Sequence, residues 1–196
     1  QYEDPRPAVS ITSSSNSQTN DNPITAAITF NQNVTGFTIG DINVNGATAA
    51  NFTGSGSSYS IELTPTSNGT ITANISEAAA VNSTSETNTA SNQFTIEYDN
   101  LAPTAPSLNI AGGTSHVSSA APTLTISAIG ATEMYLTNTA ACTAGGSWEG
   151  FATAKAWTLA QMNATNTVYI KFRDNAGNET NCVNDSIIHD NINPVT

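Results

Sequence analysis

Positive charge is nearly missing from this chain. Arg6, Lys155, Lys171 and Arg173 are its only basic residues, against 15 acids, so everything from Pro7 to Ala154 lacks a cation. Proteins that bind nucleic acid or anionic membranes replace counterions with Lys and Arg, and a surface this acidic repels phosphate instead. Nucleic acid is therefore excluded as a partner. Long apolar runs are missing as well: no stretch approaches the roughly 18 residues a membrane-spanning helix needs, so direct membrane insertion is not expected. The sequence has neither an initiator Met nor a charged-then-apolar leader. It reads as a slice of a longer polypeptide. Helical periodicity is absent too, since Ser76 to Val81 and Leu159 to Asn163 are too short for more than a turn or two.

The two histidines are His116, in a Gly- and Ser-rich loop, and His189. Neither stands in a motif that pairs it with a nucleophilic Ser or Cys. Hydrolysis by two carboxylates needs acids held about 5 to 10 Å apart, one of them protonated by its surroundings. The candidates Glu62, Glu97 and Glu133 are scattered over strand faces. No Gly-rich loop leads into a helix that could cradle phosphate. The chain is expected not to be an enzyme. Cys142 and Cys182 are the only cysteines. With no CxxC, no nearby His and no acid cluster they make poor metal ligands, and they read as a disulfide. Closing a loop of about 40 residues contributes on the order of 4 kcal/mol and points to an oxidising, exported setting.

A short phrase is present three times: an aromatic or His, then an acid, then Asp or Asn, with a Pro three residues on. Tyr2-Glu3-Asp4 leads to Pro7, Tyr98-Asp99-Asn100 to Pro103, and His189-Asp190-Asn191 to Pro194. The spacing of 96 and then 91 residues is the length of one small sandwich domain and marks an array of like modules. The expected organisation is a junction segment over 1–6, a first sandwich over 7–99, a linker over 100–106, a second sandwich with the disulfide over 107–190, and a junction to the next domain over 191–196. Pro fixes its own φ and extends the residue before it, which stiffens each connection.

Between the phrases, Val, Ile, Thr, Phe and Tyr come in short runs separated by turn residues. The first module offers strands over 8–12, 24–30, 41–44, 47–52, 58–64, 69–76 and 93–98; the second offers 108–111, 122–128, 132–138, 156–159, 167–173 and 186–189. Several alternate strictly. Tyr59, Ile61 and Leu63 share one face with Ser60 and Glu62 on the other, and Val168, Ile170 and Phe172 oppose Tyr169 and Lys171. One polar and one apolar face per strand give an all-β chain of two-sheet sandwiches. Lys171 is then solvent-facing, which argues against a buried Lys-Asn crosslink.

The run Ile28 to Phe37, then Asp41-Ile42-Asn43-Val44, Asn51-Phe52 to Tyr59, Gly69 to Ala73 and the closing strand Phe94 to Asp99 resembles the bacterial Ig-like repeat family. In the second module, Ala131 to Leu136, Ser147-Trp148-Glu149, Ala156 to Leu159 and Val168 to Asp190 resemble another Ig-like or fibronectin-like repeat of exported bacterial proteins. The resemblance implies two tandem Ig-like β-sandwich domains from a secreted or bacterial cell-surface protein. Such repeats are stalk units, so the expected role is a stalk or fibre segment supporting adhesion, with the neighbouring domains of the same chain as its partners.

Members of the first family often carry an Asp-x-x-Gly-Asn turn before the last strand. The first module has Asn82-Ser83-Thr84-Ser85-Glu86 there, whereas the second keeps Asp174-Asn175-Ala176-Gly177-Asn178. One reading is a tight turn with Gly177 at positive φ. The other is a Ca²⁺ site at Asp174 and Asn178, helped by Asp185 or a junction acid, because Ca²⁺ takes hard oxygen ligands. With the Asp lost from the first module, Asp99 and Asn100 become the central candidates for a cation, alongside Asp4 and Asp190 at the outer junctions. Trp148 reads either as a core residue or as a candidate platform for a cell-surface glycan or protein target, and Trp157 reads as core. The rival functions are accordingly a glycan- or protein-binding adhesin tip and an accessory region of a secreted enzyme.

Overall fold

Alternation decides the burial of the first unit. In β1 (Val9–Ser13), Val9 and Ile11 point inward; β2 (Gln18–Thr19) is a two-residue strand; in β3 (Ile24–Val34), Ile24, Ala26, Ile28 and Phe30 are buried while the residues between them are exposed. A single 3₁₀ turn over Ile39–Asp41 leads into β4 (Ile42–Asn45), followed by β5 (Ala47–Pro65), β6 (Gly69–Ile75) and β7 (Phe94–Tyr98). These form one sheet in the order β1-β3-β5 and a second in the order β2-β7-β6-β4. Ile61 and Leu63 of the first sheet and Ile71, Ile75 and Ile96 of the second close one core between them. The structure, a computed structural model, describes residues 6–193 and divides the chain into two compact units between Asn100 and Leu101.

The 19 residues of β5 cannot be straight. At about 3.3 Å per residue they would span about 60 Å, yet the Thr66 amide donates to the Gly46 carbonyl, just outside either end, at 3.0 Å. The element therefore folds back on itself near Gly54. A Cβ at Gly54 would stand 2.2 Å from the Ser58 carbonyl oxygen, and the φ there is +113°. Only Gly permits both the approach and the angle. The two limbs match the strands expected over 47–52 and 58–64, and Asn51 on one donates to Glu62 on the other at 2.6 Å.

The second unit runs through β8 (Thr104–Ile110), β9 (His116–Val117), β10 (Thr123–Ile129), β11 (Glu133–Thr137), β12 (Trp148–Gly150), β13 (Ala154–Ala156), β14 (Thr165–Arg173) and β15 (Val183–His189). The sheets are β13-β10-β8 and β12-β11-β14-β15-β9. Ile110, Leu124 and Ile126 face Met134, Leu136, Val168, Ile170, Phe172 and Ile187 across the sandwich. Among the described residues every regular element is a strand or a single 3₁₀ turn, so the all-β expectation holds. β8 begins at Thr104, inside the segment 100–106 expected as linker, because Pro106 sits in an edge strand, where its missing N–H breaks no ladder. The strand expected over 156–159 instead occupies Ala154–Ala156.

Candidate functional site

The repeated phrase turns out to be the buried end of each unit's last strand. Tyr98 is 5% exposed and His189 1%. Each is flanked by a short parallel strand that closes the sheet: β2 pairs with β7 through Thr19 and Tyr98, and β9 pairs with β15 through Val117 and His189. The acid of each phrase then donates its backbone N–H to that strand, Asp99 to Thr19 at 3.0 Å and Asp190 to Val117 at 2.9 Å. An asparagine from a distant loop completes both. Asn68 Oδ1 accepts the Asn100 amide at 3.2 Å, and Asn163 Oδ1 accepts the Asn191 amide at 3.0 Å. Sequence reasoning missed Asn68 and Asn163, because each lies about 30 residues before its partner and nothing local ties them together. Tyr2, Glu3, Asp4 and Pro194 lie outside the described residues.

The junction acids are already engaged. Asp99 accepts from the side-chain amides of Gln18 at 3.4 Å and Asn68 at 3.2 Å, one on each carboxylate oxygen. Asp190 accepts from the Ile192 amide at 3.0 Å. The Asn163 amide donates to His189 Nδ1 at 2.9 Å, which places the ring proton on Nε2. Among the described residues that Nε2 is buried without a partner.

The two loops before the last strands make one and the same turn. In the second unit the Asp174 amide donates to the Asn178 carbonyl, the Gly177 amide to the Asp174 carbonyl, and the Asn178 amide to Asp174 Oδ1 at 3.0 Å. In the first, the Asn82 amide donates to the Glu86 carbonyl, the Ser85 amide to the Asn82 carbonyl, and the Glu86 amide to Asn82 Oδ1 at 2.9 Å. Asn82 and Asp174 are both buried, and Ser85 and Gly177 both have positive φ, 67° and 92°. An amide oxygen thus does what the carboxylate oxygen does, without the charge. Ser85 holds a left-handed conformation that costs a residue with a Cβ about 1 kcal/mol. Ser85→Gly is accordingly expected to raise the stability of the first unit by no more than about 0.5 kcal/mol, about 1 kcal/mol of relieved strain less about 0.5–1 kcal/mol of greater unfolded-state entropy. Chemical denaturation of the two proteins in parallel measures it.

The expected cation ligands of the second unit do not converge. Asp174 follows β14, whereas the strand end carrying Asp190 is bonded to Ala164, just before β14. Nine strand residues keep the two acids about 30 Å apart. Asp185, expected to help Asp174, is paired with Val168 near the middle of β14, and its carboxylate accepts the Ile110 amide at 2.8 Å. Asp174 and Asn178 do meet, but through an amide on Asp174 Oδ2 at 3.1 Å. Among the described residues no three His, Cys, Asp or Glu side chains are grouped to hold a metal ion. The donor sets therefore fit turn anchors and not a Ca²⁺ cage, which takes six to eight oxygens.

Cys142 and Cys182 form a disulfide. It ties the loop after β11 to the start of β15, the two strands that flank β14. Trp148 lies on the outer face of the same sheet, opposite Tyr135, which is opposite Lys171. The Arg173 guanidinium sits 4.3 Å from its ring centroid and Lys171 Nζ 5.2 Å, and the two cations are also paired with Glu133 and Glu179. A ring so occupied offers little to a sugar. Its contacts are a surface ladder worth about 0.5–1 kcal/mol per cation. Trp157 is half-buried against the core.

The acids considered for catalysis are dispersed. Glu62 accepts from Asn51, Glu97 from Thr70 at 2.8 Å, and Glu133 is paired with Arg173. His116, expected in a loop, begins the short strand β9, and its exposed ring meets the adjacent Ser115 hydroxyl at 2.9 Å.

A family model described as "Bacterial Ig-like domain" matches residues 3–98. No curated protein matches the chain. Among solved structures, the fibronectin(III)-like modules of Clostridium thermocellum CbhA align at 13% identity with a TM-score of 0.50, covering 92% of this chain and 93% of theirs. The human OSCAR ligand-binding domain aligns at 11% identity with a TM-score of 0.40, covering 93% and 98%. The first of these likenesses speaks to fold alone.

Proposed function

Because residues 3–98 match the model of the bacterial Ig-like domain family, we propose that this chain is a non-catalytic spacer of an exported bacterial surface protein, two sandwiches that carry other parts of the same polypeptide. The observation that carries the reading is the repeated strand-end closure. Each unit clamps its own last strand with a short parallel partner and an asparagine before the chain moves on. A module finished in this way can be repeated without altering its neighbours, which is what a stalk requires. The disulfide supports export, since such bonds persist in oxidising compartments. No cation enters this reading, because the junction acids already serve as acceptors for amides.

Replacing the whole segment in its parent protein by two unrelated Ig-like modules of equal length tests the spacer role. Surface display and the activity of the remaining protein should survive the exchange, whereas shortening the segment by one module should reduce reach. Loss of function on the equal-length exchange would overturn the reading.

A further inference from the structure

The second unit holds a cleft that the spacer role does not use. An open hollow of about 550 Å³ runs along β13 and the residues after it, lined by Lys155, Trp157, Ala160 and Asn138. A smaller one of about 180 Å³ shares Asn138 and Ala160 and ends on Gln161 and Tyr169. The two hollows adjoin at Asn138 and Ala160, with Trp157 lining the larger and Tyr169 the smaller. Trp157 is backed by the core, so its position is fixed, and its indole N–H donates to Asn138 Oδ1 at 2.9 Å. That bond uses the oxygen of the exposed amide. Among the described residues, neither Asn138 Nδ2 nor the Tyr169 hydroxyl has a hydrogen-bond partner, so both are available to a ligand.

Charge selects the ligand class. Among the described residues Lys155 is the only ionisable group lining the larger hollow, and both oxygens of Glu149 hold its ammonium. An anion would find its counter-charge already taken, and a cation would find none. A purely apolar ligand would bury the amide without a partner. What fits is a molecule with flat C–H faces for the rings and neutral hydroxyls for the amide, long enough to reach from Trp157 to Tyr169. Binding sites of this size are commonly lined by aromatic side chains with a few polar groups that fix orientation.

We propose that the groove between Trp157 and Tyr169, centred on Asn138, binds a neutral oligosaccharide, and that Trp148 takes no part in it. The probes are neutral hexasaccharides of glucose, xylose, mannose and N-acetylglucosamine, with an oligogalacturonate as the acidic counterpart, titrated at millimolar concentration into ¹⁵N-labelled protein. At least one neutral sugar should shift the Trp157 indole signal saturably and leave the Trp148 indole signal in place. Asn138→Ala should weaken that binding about tenfold, the effect of losing one hydrogen bond to a ligand. Tyr169→Phe, which removes only a hydroxyl, serves as the second variant should the first lose its dispersed spectrum. The proposal is overturned if no neutral sugar shifts Trp157, if Trp148 responds instead, if the variant that remains folded binds as tightly as the parent, or if the acidic oligomer binds at least as well.

Discussion

Replacing Cys142 and Cys182 by Ser should unfold the second unit at a denaturant concentration where the first still stands. The bond closes a loop spanning 40 residues of sequence and joins the strands on either side of β14, the central strand of the larger sheet. Loop entropy alone puts its contribution near 4 kcal/mol. One effect offsets part of it. Ala141 and Cys142 both have positive φ, 58° and 53°, and without the crosslink the loop is free to leave that conformation. Each such residue costs about 1 kcal/mol, so the net loss should fall between about 2 and 4 kcal/mol. The readout is built in, because both tryptophans, Trp148 and Trp157, belong to the second unit. Their emission should show the shifted transition while tyrosine and backbone signals from the first unit keep theirs. An unchanged tryptophan transition would mean that the native loop carries enough strain to cancel the crosslink.

Strand positions were legible where one face is polar and the other apolar. Val168, Ile170 and Phe172 are all fully buried, and Tyr169 and Lys171 are not. A period of two needs no long-range information. The short parallel strands β2 and β9 were not legible, because two residues are too few for a pattern and their partners lie at the far end of the unit. Trp148, read as a candidate ligand platform, proved to be in an edge strand with cations over its ring. Only the register of β11 against β12 and β14 brings Tyr135, Trp148 and Lys171 into one row.

The repeated phrase shows the same division. Its period located the modules from sequence, but the reason for its chemistry was hidden. The aromatic or His position is the strand's last buried residue, the acid supplies a backbone N–H to a neighbouring strand, and the following Asn bonds to another asparagine. Acidic residues that looked like cation ligands in the sequence are engaged by amides. The equivalence of Asn82 and Asp174 makes the point, since an uncharged side chain closes the same turn.

Phe37→Ala should lower the stability of the first unit by about 3–5 kcal/mol, the range for truncating a buried Phe. Phe37 lies outside any strand, yet it is only 6% exposed. Its ring stands edge-on to Phe30, Phe52 and Tyr59, with centroids 5.2, 5.6 and 5.1 Å away. Those rings come from β3 and from both limbs of β5, so the loop residue packs three separate pieces of chain together. Neighbouring strands held by ladder hydrogen bonds cannot collapse into the space left, and the cavity term adds to the lost transfer energy. Phe37→Leu keeps most of the volume and should cost only about 1–1.5 kcal/mol. Urea unfolding followed by tyrosine emission reads the first unit once the transition of the second, which also holds Tyr135 and Tyr169 and is fixed independently by tryptophan emission, is subtracted. The two units have separate cores, so the tryptophan transition should stay in place for both variants. If it moves together with the first, the sandwiches unfold as one cooperative body, and the independence that lets such modules be repeated fails with it.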